Sequence, residues 1–327
     1  MSLHRRTAIG SLAALLTSAG TARAQGAYPE QPIRLIVPFP PGGPADTIAR
    51  LVTPGMSERL GGRQIVVESR SGAGGLVGME AVARSRPDGY TIGLGSSGVM
   101  AIMPVLQANL LIDPQRDLVP IGLVLSVPQI LAVHPSLPVR SVAELVAYAR
   151  QQPGQISYGT SGIGGTLHLA TEMFRARAGN IDIVHVPYRG AAPAIPDLLS
   201  GRVQMMFADV PILLPQVRSG ALRPLAITAP ERSELLPDLP TMVELGMQGM
   251  VSASSYGLVA PAGVPADRIA TLNAALNASL ARPETRRALI EQGGIPYGGT
   301  PAQLAAFFRD ESAAWREVAR IANIRLE

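Results

Sequence analysis

The stretch "IRLIVPFPPGGPADTIARLV", residues 33–52, decides how the rest of the chain is read. Its first five residues form an apolar, β-branched run that reads as a buried strand. Pro-Phe-Pro-Pro-Gly-Gly then interrupts it, and helical spacing resumes at Asp46. The prolines stiffen the break, while Gly42 and Gly43 permit positive φ and close approach by another group. A helix starting directly afterwards aims unpaired N–H groups and partial positive charge into the gap, which suits an anion. A tight turn is the simpler use of the same glycines.

The strand, glycine-loop, helix unit recurs. GLGSSG (93–98) follows YTI, and GTSGIGGT (159–166) follows QISY. Short apolar runs (IRLIV, QIVVE, YTIGL, QILAV, QISY, IDIVHV, VQMMF and LRPLAI) alternate with helix-periodic segments at 46–59, 75–84, 141–150, 166–178, 192–200 and 212–219. This alternation predicts an α/β protein with mostly parallel sheets. Pro54-Gly55 predicts a kink or break in the first helix. Ser141 with Glu144, and Thr300 with Gln303, are capping boxes. In the last segment Leu304, Phe308, Glu311, Trp315 and Val318 fall at helical spacing, and the apolar members read as a core stripe. One α/β lobe would supply the first two glycine loops and another the third together with VPYRGAAPA, enclosing a cleft at the carboxyl ends of the strands.

Composition removes several chemistries. The chain has 327 residues and a formal charge of +4; discounting Arg5, Arg6 and Arg23 leaves 25 basic against 24 acidic residues, too even a balance for a nucleic-acid footprint. All basic residues are arginine, which excludes a Walker-A lysine and a Schiff-base lysine. Absence of cysteine excludes thiol nucleophiles, disulfides and zinc-thiolate sites. The beginning reads as an export signal over 1–24: a basic Met1–Arg6 region, an apolar stretch from Ala8 to Ala19, and Ala22-Arg23-Ala24 before Gln25. Arg5-Arg6 partly matches a twin-arginine signal, so the export route stays open. No later apolar run is long enough to span a bilayer.

No catalytic, metal or cofactor site is expected. GLGSSG matches G-x-G-x-x-G, with Asp117 about twenty residues on, yet Pro104 interrupts the long helix that a dinucleotide site needs. Ser96 and Ser97 read better as hydroxyl donors in a cleft. No G-x-S-x-G elbow occurs, and His4, His134, His168 and His185 lack metal-ligand spacing. His134 reads as structural, while His168 could touch ligand or bind loop backbone. Asp46 is expected to organise the Gly42-Gly43 loop from behind, or to meet a ligand ammonium. Asp209 is placed similarly at a strand's carboxyl end. Arg189 could clamp a carboxylate, though the backbone from Gly190 to Ala192 is the better contact.

The segments "YPEQPIRLIVPFPPGGPADTIAR", "VVESRSGAGGLVGMEAVARSRPDGYTIGLGSSG", "ISYGTSGIGGTLHLATEMF", "VHVPYRGAAPAIPDLLSGRVQMMF" and "PDLPTMVELG" together resemble the Bug-type extracytoplasmic solute receptors of tripartite tricarboxylate transporters. The resemblance runs from about Tyr28 to the C-terminus. It implies a type II periplasmic-binding-protein fold: one lobe from 25–126 and 249–327, the other from 127–248, with crossings near Leu125–Pro128 and Gly249–Ala253. It further implies a small carboxylate, or a related polar metabolite, held by Phe39, Gly42, Gly43, Ser96, Ser97, Ser161, Gly162, Gly164, Thr166, His168, Tyr188, Gly190, Ala191 and Ala192, with Asp46 and Asp209 nearby. Ala45 stands where the family loop often has threonine, which removes one hydroxyl. The implied protein is a periplasmic, monomeric, non-enzymatic receptor without cofactor, partnered by the transporter's membrane subunits and not inserted in the membrane. A receptor signalling to a membrane kinase, or an exported α/β hydrolase, are the alternative readings. Mass analysis of the exported protein should find Gln25 at its N-terminus; an uncleaved Met1 would refute the signal reading.

Overall fold

The computed structural model describes residues 28–107, 109–322 and 324, so the signal expectation and His4 lie outside the described residues. The apolar run at 33–37 forms β1 (Ile33–Val37), four of whose five residues are buried. It pairs in parallel with β2 (Ile65–Ser69) and β3 (Thr91–Ser96), and the connections carry α1 (Pro44–Arg59) and α2 (Leu76–Ala83). After β3 the chain makes a π-helical turn at Gly98–Ile102, then the short α3 (Met103–Leu106) and α4 (Pro114–Asp117).

The next element, β4 (Leu118–Val133), joins two α/β units. Its sequence, LVPIGLVLSVPQILAV, is apolar nearly throughout and buried on both faces, as a central strand requires. Leu118–Pro128 pairs antiparallel with β9 (Ala253–Pro261), whereas Gln129–Val133 pairs antiparallel with β7 (Met205–Asp209) and β8 (Arg223–Ile227). A proline cannot donate to a ladder. Pro120 accordingly sits at a register shift, and Pro128 where the strand changes partners.

The second unit adds α5 (Val142–Gln151), β5 (Ser157–Thr160), α6 (Thr166–Arg177), β6 (Val184–Pro187), α7 (Ile195–Leu199) and α8 (Val210–Arg218). After β9 come α9 (Ala266–Leu280), α10 (Pro283–Glu291), β10 (Ile295–Gly298) and α11 (Pro301–Ala322). The strand order is β2-β1-β3-β9-β4-β7-β5-β6, with β8 and β10 also paired to β4.

The expectation of mostly parallel sheets holds only in the wings, where β2-β1-β3 and β6-β5-β7 run parallel. At the centre β9 is antiparallel to both β3 and β4, and β4 to β7 and β8, because β4 and β9 pass between the units in opposite directions. The apolar stripe of α11 buries Leu304, Phe308, Trp315 and Val318 in one cluster with Met173 and Phe174 of α6 and Val99 after β3, so this helix packs across both units. The second capping box forms, with Thr300 and Gln303 exchanging bonds of 2.7 and 3.2 Å; in the first, Ser141 Oγ caps Glu144 N–H (3.1 Å) but the Glu144 carboxylate accepts from Arg140 N–H (2.7 Å) instead of Ser141 N–H.

The expected break at Pro54-Gly55 does not occur; α1 is continuous. Gly55 instead lets α9 approach. A Cβ there would lie 2.6 Å from Ser279 Oγ and 3.0 Å from Ser279 Cα, and the Ser279 hydroxyl donates to Val52 O at 2.7 Å. Gly55→Val should therefore destabilise the fold by about 1–3 kcal/mol, seen as a lower urea midpoint. An unchanged midpoint would show that this helix contact is not tight.

Candidate functional site

The carboxyl ends of β1, β3 and β5 meet the amino-terminal part of β9 around a cavity of about 370 Å³. Phe39, Ser96, Ser97 and Gly98 line it from the first unit, Ser161 to Thr166 from the second, and Ser254, Ser255 and Tyr256 from β9. None of its lining residues carries a charge, among the described residues. A larger cavity of about 510 Å³ lies elsewhere, under the Leu235–Pro240 segment; its wall is mainly leucine and proline and lacks converging hydroxyls. The smaller cavity is the better candidate because strand ends, a helix start and several hydroxyls converge there.

β3 supplies the first hydroxyls. Its register with β9 sets Ser96 opposite Tyr256. The Ser96 Oγ is buried without a hydrogen-bond partner, although such groups are normally satisfied. Ser97 is 1% exposed; its hydroxyl donates to Glu311 Oε2 at 2.6 Å and accepts from Ser255 N–H at 3.3 Å. On β9, Ser254 Oγ donates to Asp209 Oδ1 at 2.9 Å, and Gln129 Nε2 reaches the same oxygen at 3.4 Å. Burial raises the Asp209 carboxyl to about 6 against these two stabilising donors.

The Ser161–Thr166 loop is shaped from beneath. Gly162 and Gly164 adopt φ of +128° and +76°. Gly162 N–H donates to Thr160 Oγ1 (3.3 Å) and Gly164 N–H to His168 Nδ1 (3.1 Å), so both amides are used within the loop. Gly165 then opens α6 with no capping side chain, which leaves the first-turn N–H groups without a side-chain acceptor beside the cavity. His168 thus takes the loop-backbone role. Its ring stacks on His185 at 4.2 Å between centroids, and His185 stacks on Tyr158 at 4.9 Å.

Other expected site residues fall outside this cavity. Gly42 adopts φ +76°, and its N–H donates to Asp46 Oδ2 at 3.0 Å, while Gly43 N–H turns back to Pro40 O at 3.4 Å. Asp46 also pairs with Arg50 at 2.9 Å, and these donors hold its carboxyl below its ordinary range. It organises the loop from behind, and the two glycine amides expected to meet an anion are already engaged. The Tyr188 hydroxyl donates to Asp197 (2.6 Å), Arg189 is exposed, and Gly190 N–H donates to Ser161 O (3.2 Å); Tyr188 to Ala192, with Ala191 between, buttress the Ser161 loop without lining the cavity. Asp209 stands behind Ser254. His134 bonds Ser136 (2.6 Å).

Sequence reasoning missed Gly74, Met103 and the β9 wall. The hydroxyl-rich run Ser252-Ala-Ser-Ser-Tyr256 was the available signal for the last of these. Among the described residues there is no cluster able to hold a metal ion and no helix long and apolar enough to cross a membrane.

Burial, followed by the neighbouring His185, lowers the His168 pKa from 6.5 to about 4. Between those values the unfolded chain binds more protons, so this ring's contribution is complete above 6.5 and is lost as pH falls toward 4. His168→Asn, whose amide oxygen can still accept from Gly164, removes the titration. The stability gap between wild type and variant in denaturant melts should therefore shift against wild type on acidification from about pH 7 to 4.5. A pH-independent gap would contradict the buried neutral imidazole.

Residues 48–324 match the family described as "Tripartite tricarboxylate transporter family receptor". Protein BugT of Bordetella pertussis is 37% identical over 305 residues, covering 92% of each chain. A structure of R. palustris Rpa4515 with adipate is 38% identical with a TM-score of 0.80, covering 91% of this chain and 99% of that one. MatC (Rpa3494) from Rhodopseudomonas palustris with bound malate is 30% identical with a TM-score of 0.76, covering 89% and 99%. The two α/β units joined through β4 and β9 are thus a two-lobed periplasmic-binding-protein fold. With its uncharged, hydroxyl-lined cavity between them, the chain belongs to the tripartite tricarboxylate transporter receptor family, as a Bug-type solute-binding receptor and not an enzyme.

Proposed function

We propose that this receptor captures a small carboxylate in the cavity between β3, β9 and the start of α6, and delivers it from the periplasm to the membrane subunits of a tripartite transporter. The observation that carries the reading is that Ser96, whose buried hydroxyl has no partner, and the uncapped α6 N-terminus line the same cavity. A carboxylate would accept from both, satisfying orphan donors of the protein and its own oxygens at once. Adipate and malate in the two neighbouring structures are ligands of that chemistry.

The lobes would be 25–126 with 249–327, and 127–248, acting as a monomer. Ligand bridging Ser96 of one lobe and Thr166 of the other favours the closed arrangement by its differential affinity. Phe39, Ser97, Ser161, Gly162 and Gly164 shape the same wall, and bound water fills the space left by shorter ligands.

Denaturing freshly purified protein and identifying released acids by mass spectrometry, followed by calorimetry with adipate, malate and citrate, tests the reading. At least one acid should bind one per chain. Ser96→Ala should weaken it about tenfold to a hundredfold, the equivalent of one hydrogen bond to a charged group. Absence of binding by all such acids, or an unaffected Ser96→Ala, would refute it.

A further inference from the structure

Glu311 is an acid inside an apolar stripe. It lies on α11 between Phe308 and Trp315, which are 3% exposed, at the spacing that turns all three toward the core. Its single hydrogen-bonded partner among the described residues is Ser97, 214 positions earlier and on the cavity wall.

The hydroxyl bookkeeping at Ser97 is tight. A serine hydroxyl has one hydrogen to donate and two lone pairs. In the structure the hydrogen goes to Glu311 Oε2 (2.6 Å) and one lone pair accepts from Ser255 N–H (3.3 Å). What remains is a lone pair, which repels a carboxylate. A neutral Glu311 reverses this: its own O–H donates to Ser97 Oγ, the Ser255 N–H bond is kept, and the serine hydrogen is released to donate into the cavity. All three positions on the oxygen are then used. We infer that Glu311 is a positioning residue that sets the direction of the Ser97 hydroxyl, so that capture of a carboxylate takes up one solvent proton onto Glu311. This rests on the carboxylate-receptor reading above.

The surroundings favour such an exchange. Burial already raises the Glu311 carboxyl from 4.5 to about 7, and the Ser97 hydroxyl is the one opposing influence. On α6, packed against α11, Glu172 accepts from Arg175 (2.8 Å) and from the Tyr158 hydroxyl (2.6 Å), and His168 accepts from Gly164. From the turn after β3, Ser97 is the polar group that meets it. Tyr256 of β9 is set against Asp209. Among the described residues no charged side chain therefore compensates Glu311, and a bound anion nearby penalises its ionised form further.

Calorimetric titration of wild type with adipate, malate and citrate, each in two buffers of different ionisation heat between about pH 7 and 8.5, reads the proton count directly. Above pH 7 adipate and malate bring no proton of their own. Wild type should take up about half a proton per ligand at pH 7, rising toward one by pH 8.5, with affinity falling about tenfold per pH unit at the alkaline end. Glu311→Gln, whose amide donates permanently to Ser97, should bind as tightly at the high pH as at the low, with no uptake. Ser97→Ala should bind more weakly and likewise without uptake, and carries the test if Glu311→Gln fails to fold. Wild-type binding with no proton uptake, or the wild-type pH slope persisting in Glu311→Gln, overturns the inference. Binding of none of these acids overturns instead the carboxylate reading beneath it, and this inference with it.

Discussion

The antiparallel ladder between β4 and β9 is the constraint on which the rest of the molecule depends. One strand runs for sixteen residues through both lobes, and the other returns along it for nine. Their register sets Ser126 beside Ser255, with hydroxyls 2.7 Å apart, and Val127 beside Ser254. Because β9 also pairs with β3, Ser96 and the β9 serines face one space without any loop having to be held there by itself. The wings can then be ordinary parallel units whose strand ends and helix starts meet at the same place.

On the proposed reading, that place holds an anion with neutral parts. The chain contains no lysine, and no arginine lines the cavity among the described residues. Several arginines lie in surface pairs, as Arg34 and Arg70 with Glu68, or Arg320 with Glu317. Burying a cation in the cleft would carry a desolvation penalty of several kcal/mol that ligand binding would have to offset. Hydroxyls and first-turn amides hold fixed dipoles at much lower cost, and they leave room for water. Two carboxyls, Asp209 and Glu311, stand one hydrogen bond behind this wall and control which way its serine hydrogens point.

Much of this was legible in the chain. The strand, glycine-loop, helix units, the helix caps at Ser141 and Thr300, the α11 stripe and the organising role of Asp46 could be read because each is set by a few neighbouring residues. The β9 wall could not. Ala253–Pro261 is mixed and partly hydroxylated, and becomes a strand through its register with β3 and β4. The run through 118–128 was obscured by Pro120 and Pro128, tolerated only where the ladder is irregular or changes partner. Gly42 and Gly43 marked a real loop, but whether a loop amide is free depends on its nearest acceptor: Asp46 took one and Pro40 the other. Glu311 stood out only as an acid at a core position, and its partner 214 residues away lay beyond any local pattern.

The most direct single measurement is a crystal structure of the receptor with the acid it binds most tightly. Ligand carboxylate oxygens within hydrogen-bonding distance of Ser96 Oγ and of the first-turn amides of α6, with no arginine in contact, are the expected outcome. Density for the acid beneath Leu235–Pro240, or a carboxylate clamped by Arg189, would show that the neutral cavity between the lobes is not where the anion is held.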